Sequence, residues 1–199
     1  MIYPIPPVNT FGKDHYAYWE GFLTNEEINY LLNADNWINA QQAQIGSGNN
    51  SELNPDIRST KVSWLWFKNE NQHIWDKFSK VVTEVNRRYF HFDLTGFYEP
   101  MQLGIYTAED KGHYDWHIDL IKDNNTAPRK LSMVLMLSDP SEFEGGELLL
   151  KSDRDIPSKL EMVKGRAWFF PSYMLHKVTP VTKGIRKTLV LWVGGPQFK

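Results

Sequence analysis

From Phe92 to the C-terminus the apolar residues come in short runs, each closed by a cluster of glycine, proline, aspartate or asparagine. Runs of this length are too short for ordinary helices and suit strands, which average about five or six residues. They fall at 96–99, 101–106, 114–118, 131–137, 147–151, 167–171 and 186–193. The run LSMVLML (131–137) is almost continuously apolar, as expected of a strand covered on both faces. Gly145-Gly146 and Lys183-Gly184 read as tight turns. Short strands with frequent turns must close on one another, which points to a mainly β fold of the sandwich or jelly-roll kind.

The first half of the chain supplies helices. Thr24 and Glu27 form a Thr-x-x-Glu capping box, with Leu23 placed to staple onto Ile28, and the helix is expected to run to about Asp35. A second helix is predicted over 71–91, because Ile74, Phe78, Val81, Val82, Val85 and Tyr89 recur at helical spacing on one face. Residues 41–55, rich in Gly, Asn, Ser and Gln, read as a loop between them. Both helices are expected to pack on one outer sheet face. The division anticipated is one domain over 1–199, with N-terminal helices and supporting strands over 1–95 and a β core over 96–199.

Composition narrows the chemistry. There is no cysteine, so disulfides and thiolate metal sites are excluded and any metal must be held by His, Asp or Glu. A net charge of −2 gives no general attraction to nucleic acid or acidic membranes, and no apolar stretch approaches bilayer length. The start MIYPIPPVNTFGKDHY lacks the basic-then-apolar pattern of a secretory signal. A cytoplasmic protein is the expectation, and the Asn-x-Ser/Thr matches at Asn49 and Asn124 then carry no weight.

Two imidazoles and a carboxylate stand out: His117 and Asp119 in His-x-Asp, and His176 far downstream, followed by Arg186. In an extended segment residues two apart point the same way, so His117 and Asp119 can reach a single ion. Such a set covers one face of a six-coordinate metal and leaves three positions open. An arginine beside it can hold a carboxylate through two parallel hydrogen bonds. Each residue alone has a plainer reading: a solvated pair, a hydrogen-bonded structural histidine, a solvated strand end. His113 offers a rival helical His-x-x-x-His pair with His117, but HYDWHID carries no helical apolar stripe. On a strand His113 would lie roughly 13 Å from His117 and could not share its metal.

The phrases HYDWHID, RKLSMVLMLSDPSEFEGGELLL and GRAWFFPSYMLHKVTPVTKGIRKTLVLWV resemble the catalytic core of the Fe(II)/2-oxoglutarate-dependent dioxygenases. The resemblance lies in their prolyl 4-hydroxylase-like branch and extends to bacterial PKHD-type hydroxylases; FLTNEEINYLL is also common there. It implies a double-stranded β-helix, a cupin-like jelly roll with helices on one sheet. It implies His117, Asp119 and His176 as iron ligands and Arg186 as the grip on the distal carboxylate of 2-oxoglutarate. Tyr106 matches a tyrosine whose hydroxyl joins that grip, an ordinary buried strand tyrosine being the alternative.

Fe(II), 2-oxoglutarate and O2 are thereby implied, with ascorbate (vitamin C) as an accessory reductant. The reaction implied is hydroxylation of an aliphatic carbon with release of succinate and CO2, on a peptidyl, prolyl-type residue. A free amino acid or other small molecule is the second option. A cupin-like protein holding Zn2+ or Ni2+ without oxygen chemistry is the third, since these metals often bind such ligands more tightly than Fe(II). Arg186 favours the enzyme, because a structural metal needs no carboxylate clamp. No nucleic-acid or membrane partner is expected. Trp192, Thr188 and Val190 share the side of Arg186 and are expected to pack inward. Trp116 should point away from the ligand face. Trp64 and Trp66 are expected in the core, with the lining of a substrate groove as the alternative. Arg58 and Arg129 are expected to be solvated cations, with contact to an anionic or peptide substrate as the alternative.

Overall fold

The computed structural model describes residues 15–46, 51–120, 127–152 and 156–197. Asn49, Asn124 and part of the 41–55 loop lie outside the described residues. In chain order the strands are β1 (Ala17–Trp19), β2 (Gln41–Gln42), β3 (Arg58–Ser59), β4 (Lys61–Leu65) and β5 (Met101–Thr107). They continue with β6 (His113–His117), β7 (Arg129–Met136), β8 (Phe143–Gly145), β9 (Leu148–Lys151) and β10 (Ser158–Leu160). The last three are β11 (Ala167–Pro171), β12 (Leu175–Val178) and β13 (Val181–Gly194). Two α-helices, α1 (Asn25–Leu32) and α2 (Gln72–Val85), precede the main β region.

The strands form two antiparallel sheets. The larger is ordered β1-β11-β7-β13-β5-β4-β2, with β8 also paired to β13, and the smaller β10-β9-β12-β6-β3. Several neighbouring strands are far apart in the chain, such as β1 beside β11, β13 beside β5 and β12 beside β6. The larger sheet is buried on both faces, and strict alternation along its strands decides what each face carries. Leu131, Met133 and Leu135 of β7, Leu189, Leu191 and Val193 of β13, and Met101 and Leu103 of β5 pack against α2. The intervening Val134, Met136 and Tyr106 turn toward the smaller sheet, where Leu148, Leu150 and Val178 meet them.

Helix α1 starts as its capping box requires. Thr24 Oγ1 accepts from Glu27 N at 3.2 Å, and Thr24 N donates to Glu27 Oε2 at 2.7 Å. Lys77 Nζ lies 2.7 Å from the same carboxylate and ties the two helices together. The α-helix ends at Leu32, before the expected Asp35, with residues 34–36 continuing as a 3-10 turn.

Helix α2 buries Ile74, Trp75, Phe78, Val81, Val82 and Val85, then passes into a π-helical turn, Asn86–Phe90. Wider winding shifts the apolar stripe by one residue. Phe90 is buried in place of the expected Tyr89, which is 38% exposed. Two further expectations are corrected. No strand forms over 96–99, where only a Gly96–Gly194 bridge occurs. Lys183-Gly184 lies inside β13, paired with Glu144 and Phe143 of β8, so it is not a turn between strands. Among the described residues no helix is long and apolar enough to cross a membrane.

Candidate active site

The site forms where β6 and β12 pair in the smaller sheet. His117 and His176 stand directly opposite each other in that ladder, so the pairing register itself brings the two imidazoles together. Their ring centroids are 4.1 Å apart. Asp119 follows just beyond β6, where its N–H donates to Ser172 O at 2.9 Å. One donor atom from each of His117, Asp119 and His176 lies within 4.8 Å of the other two.

Each histidine is oriented by its backbone neighbourhood. Nδ1 of His117 lies 2.7 Å from Asp115 O, and Nδ1 of His176 lies 2.8 Å from Met174 O. A carbonyl oxygen can only accept, so Nδ1 carries the proton in both rings and Nε2 presents a lone pair. Those Nε2 atoms face Asp119, at 3.9 Å from Oδ1 for His117 and 3.5 Å from Oδ2 for His176. Burial, reinforced by the neighbouring His176, pushes the His117 imidazole down to about 3, so it is neutral at physiological pH.

Asp119 is deeply buried, which alone would raise its pKa. The adjacent imidazoles, Arg129 and a 2.7 Å hydrogen bond from Ser132 Oγ hold it below the ordinary carboxylate range instead. Ser132 Oγ also sits 2.9 Å from Ser172 Oγ. The donor set is therefore the Nε2 atoms of His117 and His176 beside an ionised oxygen of Asp119. That fits a divalent ion preferring nitrogen and oxygen ligands.

His113 is engaged elsewhere: its ring nitrogens lie 3.0 Å from Lys111 O and 3.2 Å from Asp56 O. It is not part of the cluster. Trp116 is likewise turned aside, with Lys177 Nζ 5.0 Å from its ring centroid.

A cavity of about 690 Å³ opens over the cluster. Arg186, Thr188, Val190 and Trp192 of β13 line it, as their shared parity requires, together with Gln102 and Tyr106 of β5. Arg186 pairs with Tyr106 in the ladder, and its guanidinium carbon lies 4.8 Å from the Tyr106 ring centroid. Arg186 is 1% exposed, and among the described residues none of its three guanidinium nitrogens has a hydrogen-bond partner. Burial depresses its pKa, with the adjacent Tyr106 acting the other way. A buried cation with no hydrogen-bond partner among the described residues is costly and marks a place built for an anion.

Two arginines expected to be solvated are not. Arg58 is buried and donates to Gln102 Oε1 at 3.0 Å. It also stacks on Tyr114, 4.4 Å from the ring centroid, and Tyr114 in turn stacks on His117 with centroids 3.4 Å apart. Arg129 pairs through both Nε and Nη2 with the Glu99 carboxylate and lies 3.5 Å from the Trp192 ring centroid.

Nor are Trp64 and Trp66 core residues. They are 42% and 64% exposed, Trp64 at the cavity wall and Trp66 in a neighbouring groove. Sequence reasoning misses Ser132 and Gln102, although each is a lone polar residue in an otherwise apolar run, LSMVLML or MQLGIY, at the parity of the site.

Comparison with known proteins agrees with this geometry. The sequence pattern of the 2OG-Fe(II) oxygenase superfamily matches residues 101–194. A PKHD-type hydroxylase of Stutzerimonas stutzeri is 35% identical over 99 residues, covering 47% of this chain and 42% of that protein. One from Klebsiella pneumoniae is 36% identical over 84 residues, covering 40% of this chain and 37% of that one. The matched region thus spans about two fifths of these curated relatives.

Among solved structures, a Pseudomonas putida prolyl-4-hydroxylase superposes with a TM-score of 0.69 at 18% identity, covering 93% of this chain and 95% of that one. A Trichoplax adhaerens prolyl hydroxylase, solved with a hypoxia-inducible-factor peptide fragment, gives 0.72 at 18%, covering 92% and 84%. At such identities the likeness is one of fold: the double-stranded β-helix. The likeness to the 2OG-Fe(II) oxygenase superfamily lies in residues 101–194, just under half of the chain.

Proposed function

We propose that the protein is an Fe(II)- and 2-oxoglutarate-dependent dioxygenase that hydroxylates an aliphatic carbon, with a peptidyl, prolyl-type residue as the substrate. One observation carries this reading. The cluster of His117, Asp119 and His176 shares a cavity with a buried guanidinium that has no hydrogen-bond partner among the described residues. A metal held for structure alone has no use for that guanidinium.

In this reading His117, Asp119 and His176 hold Fe(II), Arg186 grips the distal carboxylate of 2-oxoglutarate, and Tyr106 flanks the grip. The iron with its co-substrate supplies the coupling of oxidative decarboxylation, giving succinate and CO2, to oxygen insertion into a C–H bond. The residues of the chain supply geometry. Met174 and Asp115 carbonyls fix both imidazole tautomers, and Ser132 holds Asp119 by one oxygen. The deep burial of Arg186 keeps water from competing for its carboxylate.

Residues 96–199 act as the catalytic core, and 1–95 support it and close one cavity wall through residues such as Ile45 and Arg58. The prolyl-type substrate is supported by the kinds of protein this chain resembles, and by the apolar side chains Ile57, Ile118 and Leu120 lining the cavity.

Anaerobic addition of Fe(II) and then 2-oxoglutarate tests the reading directly. A visible metal-to-ligand charge-transfer band is expected in the wild type and not in His176→Ala. A wild-type protein without that band is not this enzyme.

A further inference from the structure

The cavity holds more positive charge than the co-substrate can answer. Among the described residues Arg58, Arg129 and Arg186 line it, against a single carboxylate, Asp119, which faces the two histidines. Glu99 neutralises Arg129 through a two-pronged contact. Arg58 has no such counterpart among the described residues: it is 9% exposed, and its buried Nε has no hydrogen-bond partner there. Its remaining bonds go to neutral oxygens, Gln102 Oε1 at 3.0 Å and Gln44 O at 3.3 Å. Buried guanidinium groups are ordinarily matched by a carboxylate, because neutral acceptors replace hydration only in part.

Arg58 and Arg186 occupy separate places. Arg186 is across the ladder from Tyr106, and Arg58 bonds Gln102 on the same face of the same strand. Four residues along a strand is roughly 13 Å, so one small diacid held at Arg186 leaves Arg58 unanswered. Arg58 is also joined to the metal-ligand cluster by stacking, through Tyr114 onto His117. A group held there would lie beside the reacting carbon.

Resting on the functional reading above, we infer that Arg58, with Gln102, receives a carboxylate carried by the primary substrate. The carboxylate belongs either to the hydroxylated residue itself, as in a free amino acid or chain terminus, or to an acidic side chain next to it in a peptide. Arg58 thus determines specificity, and a neutral prolyl segment alone is a poor substrate.

The test is binding, read by calorimetry on protein loaded with Mn(II) and saturated with 2-oxoglutarate, so that the Arg186 end is filled. N-acetylproline is compared with N-acetylprolinamide, and acetyl-Pro-Glu-amide with acetyl-Pro-Gln-amide. The acid of one pair is expected to bind about tenfold or more tightly than its amide, and the pair that discriminates identifies the source of the carboxylate. Arg58→Met should erase the difference while moving 2-oxoglutarate affinity by less than about threefold.

Gln102→Glu is the second variant, because it gives Arg58 an internal carboxylate without disturbing packing; it too should erase the preference. Equal binding of acid and amide in both pairs overturns the inference, as does a preference surviving in both variants. Wild-type protein that fails to bind 2-oxoglutarate at all sinks the functional reading first, and is recognised before either pair is titrated.

Discussion

Gly146 lies so close to Arg186 that a β-carbon on it would sit 2.7 Å from Arg186 Cδ and 2.9 Å from Val181 Cγ2. Its φ of +61° is also a conformation that side chains resist. Gly146→Ala is expected to cost about 1–3 kcal/mol and to displace the guanidinium, weakening 2-oxoglutarate binding by about tenfold. Gly21, at φ +70° with nothing within 4 Å of where a β-carbon would sit, is the control for backbone strain alone. Gly21→Ala should lower stability and leave co-substrate binding intact; equal effects on binding from both variants would remove Gly146 from the site.

Arg186→Met separates stability from binding. Replacing an unpaired buried cation by an apolar chain of similar length should stabilise the ligand-free protein by about 1–4 kcal/mol. The same change should abolish detectable 2-oxoglutarate binding. Urea unfolding paired with calorimetry measures both, and a destabilised variant would show that the guanidinium is already satisfied in the fold.

Ser132→Ala removes the hydroxyl that holds Asp119 Oδ2 at 2.7 Å. Metal affinity should fall about 10- to 100-fold while the fold stays intact, since the change is small and internal. Competitive titration of Mn(II) is the measurement. An unchanged affinity would assign the orientation of Asp119 to its backbone bond with Ser172.

How much of this is legible in sequence depends on range. The capping box at Thr24 and Glu27, the strand parity of Arg186, Thr188, Val190 and Trp192, and the doubly covered LSMVLML are local patterns, and the structure contains them. The meeting of His117 with His176 and Asp119 follows from ligand chemistry, although the ladder register that produces it is invisible in either segment alone. The burial of Arg58 escapes such reading, although contact with an anionic substrate is an open alternative for it, because its partners Gln44 and Gln102 lie far away in the chain.

Tyr89 takes the buried place in any strictly helical pattern, because a π turn leaves no periodic signature in advance of the shift it causes. That correction is testable: Phe90→Ala should cost about 3–5 kcal/mol in urea unfolding, and Tyr89→Ala less than about 1. The reverse order would restore an unbroken α-helix.

Burial of His117 also sets a pH dependence for the metal-free protein. The unfolded imidazole takes a proton near pH 6.5, whereas the folded one resists it down to about 3. The unfolded state therefore binds more protons between these values, and stability must fall as pH drops through that window, by up to about 1.4 kcal/mol per pH unit. Unfolding midpoints of the wild type between pH 6.5 and 4.5 should decline more steeply than those of His117→Gln. Parallel profiles would mean that the folded ring accepts protons freely.

Strand β13 sends alternate side chains to opposite sides of the larger sheet, Arg186 and Trp192 to one and Leu189 and Leu191 to the other. Deleting or inserting a single residue between them would exchange the two sets, placing a leucine over the metal ligands and an arginine under the helix. Length within this segment is consequently frozen even where individual side chains are free to change. Any diversification of the site must proceed by substitution, or by lengthening the turns outside the ladder.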